Sequence, residues 1–145
     1  MGDKCDFITN NSGETRKMGE MLAQELHGGE VICLTGDLGS GKTTFSQGVL
    51  KSLGAKPPYT SPTFVVMKHY KIKNQKSKIK NVFHIDAYRV GSEDILDLGW
   101  EEIIAGGDNV VIVEWAERVK KIIPDSAVWI KFEHKEGDDR KISVS

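Results

Sequence analysis

Cysteine is nearly absent from this chain: only Cys5 and Cys33 occur in 145 residues. That excludes a disulfide framework and a cysteine-built metal cluster. Cys33 falls in an apolar run, where a small buried thiol is its plain role. No apolar stretch approaches the length of a membrane span, so no membrane partner is expected. The opening Met1-Gly2-Asp3-Lys4-Cys5-Asp6 lacks the apolar core of a signal peptide, and Asp6 stands where a myristoylation signal needs Ser or Thr. A cytoplasmic location is the expectation. One-signed charge is missing as well: a net charge of −1 gives no overall pull toward nucleic acid or acidic lipid. Arginine is scarce, with only Arg16, Arg89, Arg118 and Arg140. No arginine-rich lid that could stabilise a phosphoryl transition state is legible. Repeats and low-complexity segments are absent, and the length suits a single domain over 1–145.

What is present begins with Gly36-Asp37-Leu38-Gly39-Ser40-Gly41-Lys42-Thr43, which fits the phosphate-loop pattern G-x-x-x-x-G-K-[ST] without mismatch. Its glycines let successive backbone N–H groups turn inward around phosphate oxygens. Lys42 is expected to face solvent and to reach the β- and γ-phosphates. The Thr43 hydroxyl suits a Mg²⁺ ligand. Glu30 to Thr35 reads as a buried strand entering the loop. Thr44 to Leu53 reads as the helix leaving it, with Phe45, Val49 and Leu53 on one face and Gly54 as its stop. Nucleotide-binding candidates are Asp37, Leu38, Gly39, Ser40, Gly41, Lys42, Thr43 and Thr44.

The remaining pattern predicts an α/β fold: a mostly parallel sheet, helices on both faces, and antiparallel hairpins attached. Residues 5–9 read as a strand, followed by a helix from about Gly13 to Leu26. Phe64 to Lys73 and Lys78 to Ile85 read as extended, with Asn74 to Ser77 as a turn. Ser92 is expected to cap a short helix that uses Ile95 and Leu98 as apolar contacts. Gly106 to Asn109 reads as a loop, and Ala116 to Ile123 as a short helix closed by Pro124. Ala127 to Phe132 and Lys141 to Val144 suit a final hairpin around Gly137.

Two apolar strands end in an acid. Val82-Phe83-His84-Ile85 runs into Asp86, and Val110-Val111-Ile112-Val113 runs into Glu114. In an open α/β sheet, ligands bind beyond the carboxyl ends of the strands, where a phosphate loop also lies. One carboxylate is expected to help hold Mg²⁺ and the other to orient water or complete the metal shell. Which does which stays open. Thr60-Ser61-Pro62-Thr63-Phe64 suits either a switch-like loop or an ordinary polar turn.

In order along the chain, Gly36 to Thr43, Ser61-Pro62-Thr63-Phe64, His84-Ile85-Asp86-Ala87-Tyr88-Arg89, Leu98-Gly99, Glu114-Trp115 and Arg140-x-Ile142 resemble the bacterial TsaE (YjeE) family. That family supplies the small P-loop ATPase of tRNA threonylcarbamoyladenosine (t6A) synthesis. The resemblance implies ATP/ADP and Mg²⁺ as cofactors, bound by Lys42 and Thr43, with Asp86 and Glu114 around the metal and Lys42, Asp86 and Glu114 as catalytic residues. Thr63 would lie near the γ-phosphate. Trp115 would line the nucleotide site or a partner surface, or else serve as a core aromatic. His84 is taken as structural. Tyr88 and Arg89 would anchor the strand end or present Arg89 to phosphates or a partner. The implied partners are TsaB and TsaD, with TsaD modifying adenosine 37 of tRNAs that read codons starting with A. Weak, partner-activated ATP hydrolysis would reset that complex between turnovers.

From Lys56 to Ile85 there is no acidic residue, while Lys68, Lys71, Lys73, Lys76, Lys78 and Lys80 all fall there. These lysines either touch tRNA phosphates or an acidic partner surface, or guard an exposed strand edge, and the last is preferred because no arginine interleaves them. Three other functions suit a short P-loop chain. A small-molecule kinase needs an acceptor pocket and lid that are not legible. A GTPase switch needs [NT]-K-x-D, which is absent. A nucleotide-gated interaction module would need binding without hydrolysis.

Overall fold

The structure is a computed structural model that describes residues 5–60, 62 and 65–145. Strand β1 (Cys5–Thr9) leads into helix α1 (Ser12–Ala23). Asn11 caps α1 by accepting the Glu14 N–H at 2.9 Å, and the Glu14 carboxylate reaches back to the Asn10 N–H at 2.7 Å. Both bonds satisfy donors that a helix start would otherwise orphan. The helix ends at Ala23, and Gln24, Glu25 and Leu26 continue it only as single turns.

Strand β2 (Val31–Gly36) and helix α2 (Lys42–Leu53) flank the phosphate loop. Next come β3 (Met67–Lys71) and β4 (Asn81–Asp86), which pair antiparallel, then α3 (Ser92–Leu96), α4 (Trp100–Ala105) and β5 (Asn109–Glu114). A 3₁₀ helix over Ala116–Ile122 follows, and β6 (Val128–His134) and β7 (Arg140–Val144) close the chain as an antiparallel hairpin.

The seven strands form one sheet in the order β1-β7-β6-β2-β5-β4-β3. The central four, β6, β2, β5 and β4, run parallel, and antiparallel strands flank them on both sides. The lysine-bearing strand β3 is the outer strand at its end of the sheet.

Each sheet face carries its own core. Ile32, Leu34, Val110, Ile112, Ile130 and Phe132 pack under α1 and α2. Val31, Cys33, Ile85, Val111 and Val113 pack against Ile95, Trp100, Ile103 and Val119 on the other side. Burial pushes the Cys33 thiol pKa up to about 12, so it is an inert core group. Helices α1 and α2 touch backbone to backbone where they cross. A Cβ on Gly19 would stand 2.1 Å from the Phe45 carbonyl oxygen, and one on Gly48 would stand 2.0 Å from that of Arg16. No side chain fits at either point, so these glycines set how closely α1 approaches the phosphate-loop helix.

Two local expectations are corrected. Ser92 is the first residue of α3 and is buried; Gly91 holds the cap position, and its N–H donates to the Asp94 carboxylate at 2.9 Å. Leu98 is 39% exposed, because α3 stops at Leu96 and Gly99 turns the chain into α4. Ile95 alone makes the expected core contact.

Candidate nucleotide site

Side chains alternate across a strand, so residues two apart share a face. On β4, Val82, His84 and Asp86 look toward α2, and on β5 so do Val110, Ile112 and Glu114. The parallel register sets Asp86 directly beside Glu114. Both acids stand at strand ends next to the phosphate loop, and both are buried.

The loop turns into α2 at Gly41, whose φ of 106° lies in the left-handed region that disfavours a side chain. From there Lys42 begins the helix. Its Nζ donates to the carbonyls of Gly36 at 2.5 Å and Asp37 at 2.8 Å, and to Ser40 Oγ at 3.4 Å. The same ammonium lies 4.2 Å from the centre of the Trp115 ring. Lys42 is therefore 5% exposed, which corrects the expectation that it faces solvent. Loop oxygens and an aromatic face satisfy the ammonium, so it folds back rather than extending. Burial lowers its pKa, against the opposing pull of Glu114, Glu117, Asp37 and Asp86.

The Thr43 hydroxyl donates to Glu114 Oε1 at 3.0 Å, and His84 Nε2 meets Glu114 Oε2 at 2.5 Å. Asp86 Oδ1 accepts the Tyr88 N–H at 2.9 Å. Trp115 takes a left-handed backbone, φ 61°, immediately after Glu114. That turn sets its ring 4.8 Å from the Tyr88 ring and over Lys42. It lines the cavity and also packs on the second core.

These groups surround a cavity of about 360 Å³, a volume within the range of ligand sites. Leu38, Gly39, Ser40, Gly41, Lys42, Thr43, Thr44, Asp86, Glu114 and Trp115 all line it. Asp37 is not in the lining; its carbonyl instead accepts the Lys42 ammonium and the Ser40 N–H. Thr63 falls outside the described residues. Arg89 is exposed at the surface rather than in the cavity.

The structure brings to the cavity residues that were not among the site candidates, although Arg140 and His84 stand within the quoted motifs. Asn11, Ser12, Thr15, Asp138 and Arg140 line the side of the cavity beyond β6, opposite the two acids. Arg140 ties the β6–β7 hairpin to the loop: its guanidinium donates to the Gly39 carbonyl at 3.0 Å and to that of Asp139 at 3.0 Å. Only the strand order brings them there. His84 is the other addition, and strand alternation with Asp86 was the signal for it.

The donor chemistry fits Mg²⁺ delivered with a nucleotide. Among the described residues no cluster of three or more His, Cys, Asp or Glu forms a metal cage. One hydroxyl and two carboxylates leave several positions for phosphate oxygens and water, as Mg²⁺ requires.

A glycine-turned loop of this form, between a parallel strand and a helix, defines the P-loop nucleotide-binding domains, and this chain has that fold. The family described as Threonylcarbamoyl adenosine biosynthesis protein TsaE matches residues 9–142. Proteins named tRNA threonylcarbamoyladenosine biosynthesis protein TsaE are similar along most of their length. The one from Rickettsia felis is 34% identical over 140 residues, covering 95% of this chain and 78% of the relative. That from Bacillus subtilis is 34% identical over 137 residues, covering 94% and 82%. That from Aquifex aeolicus is 41% identical over 117 residues, covering 79% of each. The crystal structure of Bacillus subtilis YdiB superposes with a TM-score of 0.77 at 28% identity, covering 99% of this chain and 86% of that one. The chain belongs to the TsaE family of P-loop NTPases.

Proposed function

We propose that this chain binds ATP with Mg²⁺ in the cavity, hydrolyses it slowly, and thereby serves t6A modification of tRNA together with TsaB and TsaD in the cytoplasm. One observation carries the nucleotide reading: a phosphate loop and two buried strand-end carboxylates converge on a single cavity, with the Thr43 hydroxyl already bonded to Glu114. The tRNA-modification role rests on family membership.

The chemistry follows from the geometry. Lys42 would exchange its carbonyl partners for phosphate oxygens, and Trp115 covers the same ammonium from the side. Thr43, Asp86 and Glu114 would hold the Mg²⁺, which supplies charge neutralisation on the β- and γ-phosphates. Glu114 also stands where a carboxylate can orient an attacking water. Slow turnover follows from what the site lacks. Among the described residues Arg140 is the only arginine lining the cavity, and its guanidinium is engaged with backbone carbonyls. A partner that supplies or frees a cation would raise the rate. The lysines of the β3–β4 hairpin sit on the sheet's outer strand and its turn, which favours edge protection over a tRNA contact.

The test is Mg²⁺-ATP hydrolysis by the chain and by Lys42→Ala, with and without TsaB and TsaD. Slow hydrolysis that rises with the partners and disappears in Lys42→Ala supports the proposal. Fast hydrolysis indifferent to those partners would overturn the role in the complex.

A further inference from the structure

We propose that His84 is the positioning residue of Glu114, holding its carboxylate with one oxygen turned to Thr43. The inference rests on the nucleotide reading above and names the group that aims one of its carboxylates.

His84 pairs with Ile112 and Asp86 with Glu114 across the parallel β4–β5 ladder. His84 is thus one pleat behind the two acids on the same face. Its side chain is 1% exposed and that of Glu114 is 3%. With Glu114 ionised, both its oxygens accept, and the 2.5 Å contact is then a bond donated by Nε2–H to Oε2. The other carboxylate oxygen receives the Thr43 hydroxyl. Glu114 is therefore clamped by one donor from behind and one in front. Its other neighbours on that face of the two strands are Asp86, a second carboxylate, and the apolar Val82, Val110 and Ile112, none of which brings a side-chain N–H donor.

The second ring nitrogen makes no competing bond. Nδ1 is buried and has no hydrogen-bond partner among the described residues. This ring makes a single polar contact, and that contact is to the carboxylate at the head of the site. Groups behind a metal ligand that fix its orientation commonly change metal affinity or activity tenfold to a hundredfold.

Substitutions separate positioning from packing. His84→Leu keeps an apolar body and removes the donor. His84→Gln places an amide N–H near the position of Nε2 and restores it. His84→Leu is expected to lose on the order of tenfold to a hundredfold in turnover. The gain in ATP affinity that Mg²⁺ provides should shrink with it, while affinity in EDTA stays unchanged; calorimetry reads both. His84→Gln should recover most of each loss. Equal impairment of the two variants, or an equal fall of affinity in EDTA, would reduce His84 to a packing role and overturn the proposal. Nitrogen-15 NMR of the unaltered protein without nucleotide decides independently, even where His84→Leu does not fold. A proton on Nε2 that shifts on Glu114→Gln supports the contact, and a proton on Nδ1 with bare Nε2 overturns it. If the unaltered protein binds no ATP while the ring signal is as expected, the nucleotide reading fails and the contact to Glu114 stands.

Discussion

Strands β4 and β5 present two very different faces. Toward α3, α4 and the 3₁₀ helix they show Phe83, Ile85, Val111 and Val113, all packed into one apolar cluster. Toward α2 they show His84, Asp86 and Glu114 above Val82, Val110 and Ile112. The first face has only to fill volume, and substitutions of similar size should serve nearly as well. The second buries charge and must pair it atom by atom, because a buried carboxylate without donors is costly. One pair of strands thus carries an apolar core on one side and the candidate site on the other, separated by the thickness of a backbone.

The sharpest way to break this contrast is to alter the polar face alone. Glu114→Gln and Asp86→Asn should each lower ATP turnover by on the order of a hundredfold while the fold and most nucleotide binding persist. Steady-state hydrolysis and equilibrium binding, measured separately, check this; a parallel collapse of binding would mean that these acids build the pocket rather than the chemistry. The mirror experiment alters the apolar face. Ile85→Ala should cost about 2–5 kcal/mol in chemical denaturation, because it opens a cavity beneath Trp100 and Ile103. ATP affinity at a temperature where the variant is folded should not change, and a fall would show that the faces are coupled.

A smaller effect concerns Lys42, whose pKa is lowered mainly by burial. The unfolded chain then holds this proton more tightly than the native state. Stability should therefore rise with pH through the window from the lowered native value up to the ordinary lysine value of 10.5. Lys42→Met should be the more stable protein at neutral pH and should lack that rise. Denaturation curves across the window read both, and an identical pH dependence in the variant would refute the assignment. The smallest effect is expected at the far edge of the sheet. Reversing Lys71, Lys73, Lys76 and Lys78 to Glu should leave tRNA modification and complex formation unchanged; loss of either would restore the reading of these lysines as a contact to tRNA or to an acidic partner surface.

The phosphate loop, its entering strand and its leaving helix were legible because each is a local pattern: an apolar run, glycines at turning points, then helical spacing. The acids at positions 86 and 114 were legible for the same reason, as each ends an apolar run. The Ser92 cap was misplaced by one residue because a side chain of the right type stood beside a glycine with the right backbone. Leu98 was assigned to a helix that ends two residues earlier. Lys42 was expected in solvent because its partners are backbone carbonyls and a tryptophan far along the chain, which no local pattern shows. His84 needed the pairing of β4 with β5, and Arg140 needed the return of β7 beside β6.

By itself the sequence determined the strand–loop–helix that turns amides toward phosphate, the two carboxylates that follow apolar strands, and the membership in a family. These depend on backbone conformation and on patterns repeating every two or four residues. Only the tertiary structure decided that His84 stands behind Glu114, that Lys42 folds under Trp115, and that Asp138 and Arg140 border the same cavity as Asp86. The longest of these links, Arg140 to the Gly39 carbonyl beside the same cavity, joins residues 101 positions apart, and strand order and register bring such distant groups together.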